Sequence, residues 1–139
     1  MKWSPDLATD ITLIDLQHQE IIRRMNDAVK AGETGSEELI RLTLFLLSDF
    51  CATHFSCEEN LQLKSKYNEY RKHCGFHKTF LQAVKKLTDK LDTEGPTKEL
   101  TQEINQLVGD WLVLHIQNVD KSLGGFIKEN APELTNILG

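Results

Sequence analysis

The segment Ile40-Arg41-Leu42-Thr43-Leu44-Phe45-Leu46-Leu47-Ser48-Asp49-Phe50-Cys51-Ala52-Thr53-His54-Phe55-Ser56-Cys57-Glu58-Glu59-Asn60-Leu61 repeats its apolar residues with a helical period. Ile40, Leu44, Leu47, Cys51, His54, Glu58 and Leu61 fall on one face. A histidine and a carboxylate one turn apart thus stand in the stripe that a helix turns towards a core. Gly35, a Ser36 cap and the acidic Glu37 and Glu38 open this block, and it continues to about Lys64.

Three further blocks share the period. Ile14, His18, Ile21, Ile22, Met25 and Val29 stripe a block from about Ile14 to Ala31, expected to end at Gly32. Tyr70, His73, Cys74, His77, Phe80, Leu81 and Val84 stripe one from about Asn68 to Leu91. Leu100, Ile104, Leu107, Val108, Trp111 and His115 follow the Gly95-Pro96 break, and this last helix is expected to fail near Gly124-Gly125. Strand-like alternation is absent. Short connections favour antiparallel neighbours, so the expected fold is all-α, an antiparallel up-down-up-down four-helix bundle. The 139 residues suit a single domain, with residues 1–12 an N-terminal arm whose Trp3 packs onto the bundle and residues 131–139 a C-terminal tail.

Every histidine in the chain occupies a core position. One histidine on an apolar face is more often structural than a ligand, but five of five, joined by Glu58, need a common partner. An unpaired buried polar group costs on the order of 1 to 3 kcal/mol, against a total domain stability of roughly 5 to 15 kcal/mol. A metal ion turns each imidazole lone pair and each carboxylate from a burial penalty into a bond. His73 and His77 lie four residues apart on one face, as do His54 and Glu58, so each pair can reach one ion. Asp120 follows His115 by five residues, about 140° around an ideal helix. It is either a solvated charge beside Lys121 or a further donor, brought round by a local π-bulge or by its side chain reaching around the helix. Five histidines and two carboxylates are too many for one ion and suit two, with a 3+2 division of histidines that leaves one ion an open position. Imidazole with carboxylate and no thiolate points to iron or manganese ahead of zinc.

Composition narrows the partners. The 16 basic and 21 acidic residues give a net charge of −5 without a basic cluster, which argues against nucleic acid and anionic membrane. No apolar run is read as a bilayer span and the first ten residues lack a signal-peptide pattern, so a soluble, cytoplasmic protein is expected. Cys51, Cys57 and Cys74 are odd in number and unpaired in spacing, which argues against a disulfide framework. They read as reduced, buried apolar filler, with a redox-active thiol near the metal as the alternative.

The elements Ile14-Asp15-Leu16-Gln17-His18, His54-Phe55-Ser56-Cys57-Glu58-Glu59, His73 with His77, and Trp111-Leu112 with His115 and Asp120 resemble the hemerythrins, most closely the bacterial ones, from about Trp3 to Leu123. The chain departs from the usual pattern at Asp10, where glycine is common, at Asn68, where proline follows the tyrosine, and at Leu123, where an aromatic often stands. The resemblance implies two non-haem iron ions with an oxo or hydroxo bridge. It places one on His73, His77 and His115 and the other on His18 and His54, with Glu58 and Asp120 bridging. It further implies reversible binding of dioxygen at the less-coordinated iron, as in a carrier, storage or delivery protein and not an enzyme. Ile21, Phe55, Trp111, Leu112 and Ile116 lie within a turn of ligands and would form a dry wall for the bound gas, besides packing the core. An oxygen- or iron-sensing signalling module, or a diiron enzyme acting on peroxide or nitric oxide, are the competing readings.

Overall fold

The computed structural model describes residues 1–136; of the expected tail, residues 137–139 lie outside the described part. Three long helices, α1 (Thr12–Thr34), α2 (Glu37–Ser65) and α3 (Tyr70–Glu94), precede a fourth rod built from α4 (Lys98–Gln106), two π-helical turns (Leu107–Leu112 and His115–Asp120) and α5 (Lys121–Asn130). The backbone stays right-handed helical at Gln106, Val113, Leu114, Asp120 and Lys121, so the rod is continuous. Among the described residues there is no strand.

Contacts between the rods fix their directions. Along the α3 interface with the fourth rod, Lys90 meets Glu103, Phe80 meets Trp111 and His73 meets Asp120, so one chain direction falls as the other rises. Gly32 with Thr101 and His18 with Asp120 give the same reversal between α1 and the fourth rod. Arg41 pairs with Asp92 and Glu59 with His77 between α2 and α3. Because α1 also packs on α2, the rods close into the expected antiparallel four-helix bundle.

The stripes read from sequence form its inside. All seven named positions of α2 are buried; Val29, Tyr70, Cys74, Leu81, Leu107 and Trp111 sit half-buried at stripe edges. The main core runs from Met25, Leu44 and Leu47 through Phe80 and Val84 to Leu100, Ile104 and Leu112. Trp3 packs against it as expected. A second cluster, Ile11, Ile14, Leu61, Leu123, Ile127 and Leu134, seals the other end of the bundle.

Two expected helix ends are corrected. The first helix passes through Gly32 and stops at Gly35, which adopts the left-handed conformation (φ 70°) that closes a helix without a Cβ clash. Gly32 is instead a contact point: Thr101 Oγ1 donates to its carbonyl at 3.2 Å, and a Cβ there would meet that side chain at 3.3 Å. Likewise the last helix does not fail at Gly124-Gly125 but runs to Asn130. A Cβ on Gly124 would lie 2.4 Å from the Thr9 carbonyl oxygen, so this glycine admits the N-terminal arm. The arm is held there by Asp15, whose carboxylate accepts from Thr9 N and Oγ1, both at 2.8 Å, and from Asp10 N at 3.1 Å. The first tail residues are anchored too, since Thr12 N donates to the Thr135 carbonyl at 2.9 Å.

A third correction concerns α2. By length and composition it is apolar enough to cross a membrane, contrary to the reading that no segment was. Its buried stripe is supplemented by exposed Leu39, Leu42, Phe45 and Leu46, so the helix is apolar over more of its circumference than packing requires.

Candidate metal centre

The seven polar residues singled out in the sequence are all buried and converge from four rods. His18 comes from α1, His54 and Glu58 from α2, His73 and His77 from α3, and His115 and Asp120 from the second π turn. That turn resolves the two readings of Asp120. Over His115–Asp120 the helix widens, with Lys121 N donating to the Ile116 carbonyl five residues back, so positions five apart share a face. Asp120 faces inward, fully buried, and not towards solvent beside Lys121.

The donor atoms form two neighbouring groups: Glu58, His73, His77, His115 and Asp120, and His18, His54, Glu58 and Asp120, each with its donor atoms within 4.8 Å of one another. Both carboxylates belong to both groups, and their individual oxygens are divided between them. Glu58 Oε1 lies 2.6 Å from His73 Nε2 and 3.1 Å from His77 Nε2, whereas Oε2 lies 3.1 Å from His54 Nε2. Asp120 Oδ1 lies 3.0 Å from His73 Nε2 and 3.1 Å from His115 Nε2, whereas Oδ2 lies 2.8 Å from His18 Nε2. Every histidine points the same ring atom, Nε2, into the centre.

These approaches are not a satisfied hydrogen-bond network. His18 Nε2 and Asp120 Oδ2 are close enough for charge attraction, yet their angles are not those of a hydrogen bond, and both atoms are buried without a partner. Glu58 Oε2 and His115 Nε2 are in the same position. The tautomers sharpen the point. His54 Nδ1 faces Gln17 Oε1 at 2.7 Å, an acceptor, so Nδ1 carries the proton. Burial, only partly opposed by Glu58, holds His54 below its ordinary pKa and therefore neutral. Its Nε2 lone pair consequently faces a carboxylate oxygen, an arrangement that a cation between them relieves. His77 Nδ1 likewise faces a carboxylate oxygen, Glu59 Oε2, at 2.8 Å, and must donate to it.

The field of the centre runs strongly negative. Burial pushes the Glu58 and Asp120 carboxyls up, but the surrounding histidines outweigh it and hold both well below the usual carboxylate range. In return, Asp120 and Glu58 overcome the burial of His73 and push it up to about 9. His18 is also raised, as the charges of Asp120, Glu58 and Asp15 outweigh its burial. Two buried anions that draw protons onto neighbouring imidazoles will draw a divalent or trivalent cation more strongly.

The five apolar residues named from sequence divide. Ile21, Leu112 and Ile116 are at most 1% exposed and Phe55 is buried, but Trp111 is half-buried. Phe55 lies flat on His77 (3.9 Å between centroids, 8° between planes), and Trp111 lies flat on His115 (4.5 Å, 11°). These two aromatics therefore brace rings of the three-histidine group, while Phe55 also touches His54 at 5.7 Å. Gln17 and Glu59, which set the tautomers of His54 and His77, had no role assigned from sequence; each lies one residue from a donor but off the apolar stripe. The cysteines stand outside both donor groups. Cys51 is fully buried and its thiol is pushed up to about 12 by that burial, as expected of apolar filler. Cys57 and Cys74 correct the same expectation, being half-buried.

Fold and donor set together define a cation-binding helical bundle. The family model described as hemerythrin, a hemerythrin HHE cation binding domain, matches residues 9–127, and the chain belongs to that family. It is 30% identical over 125 residues to a bacteriohemerythrin of Methylococcus capsulatus, covering 89% of this chain and 94% of the relative. To the myohemerythrin of Sipunculus nudus it is 31% identical over 120 residues, covering 85% and 86%. A crystal structure of a leucine-to-phenylalanine mutant superposes with a TM-score of 0.80 at 27% identity, covering 91% of this chain and 96% of that one.

Proposed function

We propose that the protein is a non-haem diiron protein that binds dioxygen reversibly, in the manner of a carrier, storage or delivery protein. His73, His77 and His115 would hold one iron, His18 and His54 the other, and Glu58 and Asp120 would bridge. The observation that carries this reading is the division of each carboxylate: one oxygen of Glu58 and one of Asp120 face each histidine group. A carboxylate serving a single ion has no reason to present its second oxygen to a separate set of imidazoles. The all-oxygen-and-imidazole donor set, with no cysteine in either group, favours iron over thiolate-bound metals.

An iron pair held there would supply the electrons for binding dioxygen, and His18 with His54 would be the smaller of the two histidine shares. The chain's part is to place the donors, balance the charge and exclude water. Two carboxylates against two divalent ions leave a net positive centre, which tolerates electron withdrawal less than a carboxylate-rich one and so favours reversibility over substrate oxidation. Ile21, Leu112 and Ile116 are buried, and with Phe55 and Trp111 they would limit the access of water to the donors.

Iron analysis of the purified protein tests this reading. About two irons per chain, with a visible absorption band that appears when the reduced protein meets air and fades when oxygen is removed, is the expected result. One iron or none per chain after anaerobic loading, or a band that never reverses, would refute it.

A further inference from the structure

The five imidazoles are not backed alike. His77 Nδ1 donates to a carboxylate, Glu59 Oε2, at 2.8 Å. His54 Nδ1 donates to a neutral amide oxygen, Gln17 Oε1, at 2.7 Å. His18 Nδ1 and His73 Nδ1 have no partner among the described residues. The anionic contact is also well fixed. Phe55, stacked 3.9 Å from the His77 ring and parallel to within 8°, holds the ring plane, and the ring itself is 2% exposed. Glu59, with 29% of its side chain exposed, lines a solvent-facing hollow of about 500 Å³ together with Phe55, Tyr70, Arg71, Lys78 and His77 itself.

An imidazole whose Nδ1–H is shared with a carboxylate gains imidazolate character at Nε2 and becomes a stronger electron donor. We infer that Glu59 is a positioning residue that makes His77 a stronger electron donor than the amide-backed His54 and thereby stabilises the higher oxidation state of the metal in the three-histidine group. The inference rests on the diiron reading above. It makes the centre asymmetric in a second way: the two groups differ in histidine count and also in charge behind the ring, an anion behind His77 and a neutral amide behind His54.

The test exchanges the two backing groups. Glu59→Gln keeps an oxygen acceptor for the Nδ1–H, so a role in ring orientation survives while the charge is lost. Gln17→Glu places the charge behind His54 instead. Each variant is titrated anaerobically with Co2+ against a chromophoric chelator, and its iron-loaded form is equilibrated with redox mediators at fixed potential. Glu59→Gln is expected to bind one of two Co2+ ions roughly 10- to 100-fold more weakly and to raise the reduced-to-oxidised iron ratio about tenfold. Gln17→Glu should lower that ratio. A Glu59→Gln protein with wild-type Co2+ affinity and an unchanged ratio overturns the inference while leaving the diiron reading intact. So does a ratio that Gln17→Glu fails to lower, which carries the test if Glu59→Gln does not fold. Wild-type protein that takes up neither Co2+ nor iron overturns the diiron reading, and this inference with it.

Discussion

Stripping the metal should expose a pH dependence that the loaded protein lacks. His73 has an ordinary pKa of 6.5 and is pushed up to about 9 by Asp120 and Glu58 in the metal-free fold. At about 1.4 kcal/mol per pH unit, that difference is worth on the order of 3 kcal/mol. Because the folded value is the raised one, this stability is fully present below about pH 6.5 and is lost as pH climbs through about 9. His18, raised for the same reason, adds in the same direction. Glu58 and Asp120 act oppositely: held well below the usual range, they contribute stability above about pH 4.5 that is lost as pH falls. His54, held low by burial, also penalises the acid side. The metal-free protein should therefore be most stable in a narrow band near pH 5 to 6.5. Metal bound to His73 Nε2 displaces the proton there, and the alkaline loss disappears. Urea unfolding at pH 6, 7.5 and 9, on chelator-stripped and iron-loaded samples, measures both limbs. A stripped protein whose stability does not fall between pH 6.5 and 9, or a loaded protein that falls in parallel with it, would refute this electrostatic description of the centre.

Three other perturbations have defined outcomes. Gly124→Ala should destabilise by about 1 to 3 kcal/mol in thermal melts, because the new methyl meets the Thr9 carbonyl at 2.4 Å and the arm must lift; unchanged melting would mean that the arm is not seated there. Asp10, which stands at φ 67° without being glycine, should accept Asp10→Gly with a gain of up to about 1 kcal/mol in urea midpoint analysis, reduced by loss of its exposed contact with Lys128, and a clear loss would count against backbone strain. Asp120→Ala should leave helical circular dichroism intact but bind iron at less than half the wild-type occupancy under chelator competition, since both histidine groups lose an oxygen; full occupancy would remove Asp120 from the centre.

The bundle and its donors were legible because burying imidazole is costly: five histidines in apolar stripes could be read from period alone, and His18, His54, His73, His77 and His115 all lie where that period places them. Asp120 was not settled by spacing. Whether a helix widens is decided by which carbonyl each amide finds, and the Lys121-to-Ile116 bond leaves no mark in the residue types. Gly32 and Gly124 misled for a related reason. A glycine reads as a break when only its own segment is in view, but here each is the point where a distant segment, Thr101 or Thr9, comes within a methyl's reach. Gln17 and Glu59 were silent because half-buried polar residues beside a stripe are common, and their meaning lies in a ring nitrogen on another helix. The departure at Asp10 acquires a physical sense from its positive φ, the conformation that glycine adopts without cost.

The central claim is that two ions share two carboxylates at the middle of the bundle. An anomalous difference map from crystals of the iron-loaded protein, recorded at the iron edge, tests it without reference to oxygen chemistry. Two separate peaks are expected, one against His73, His77 and His115 and one against His18 and His54, each touching one oxygen of Glu58 and one of Asp120. A single peak, or a Glu58 carboxylate with both oxygens on one ion, would contradict it.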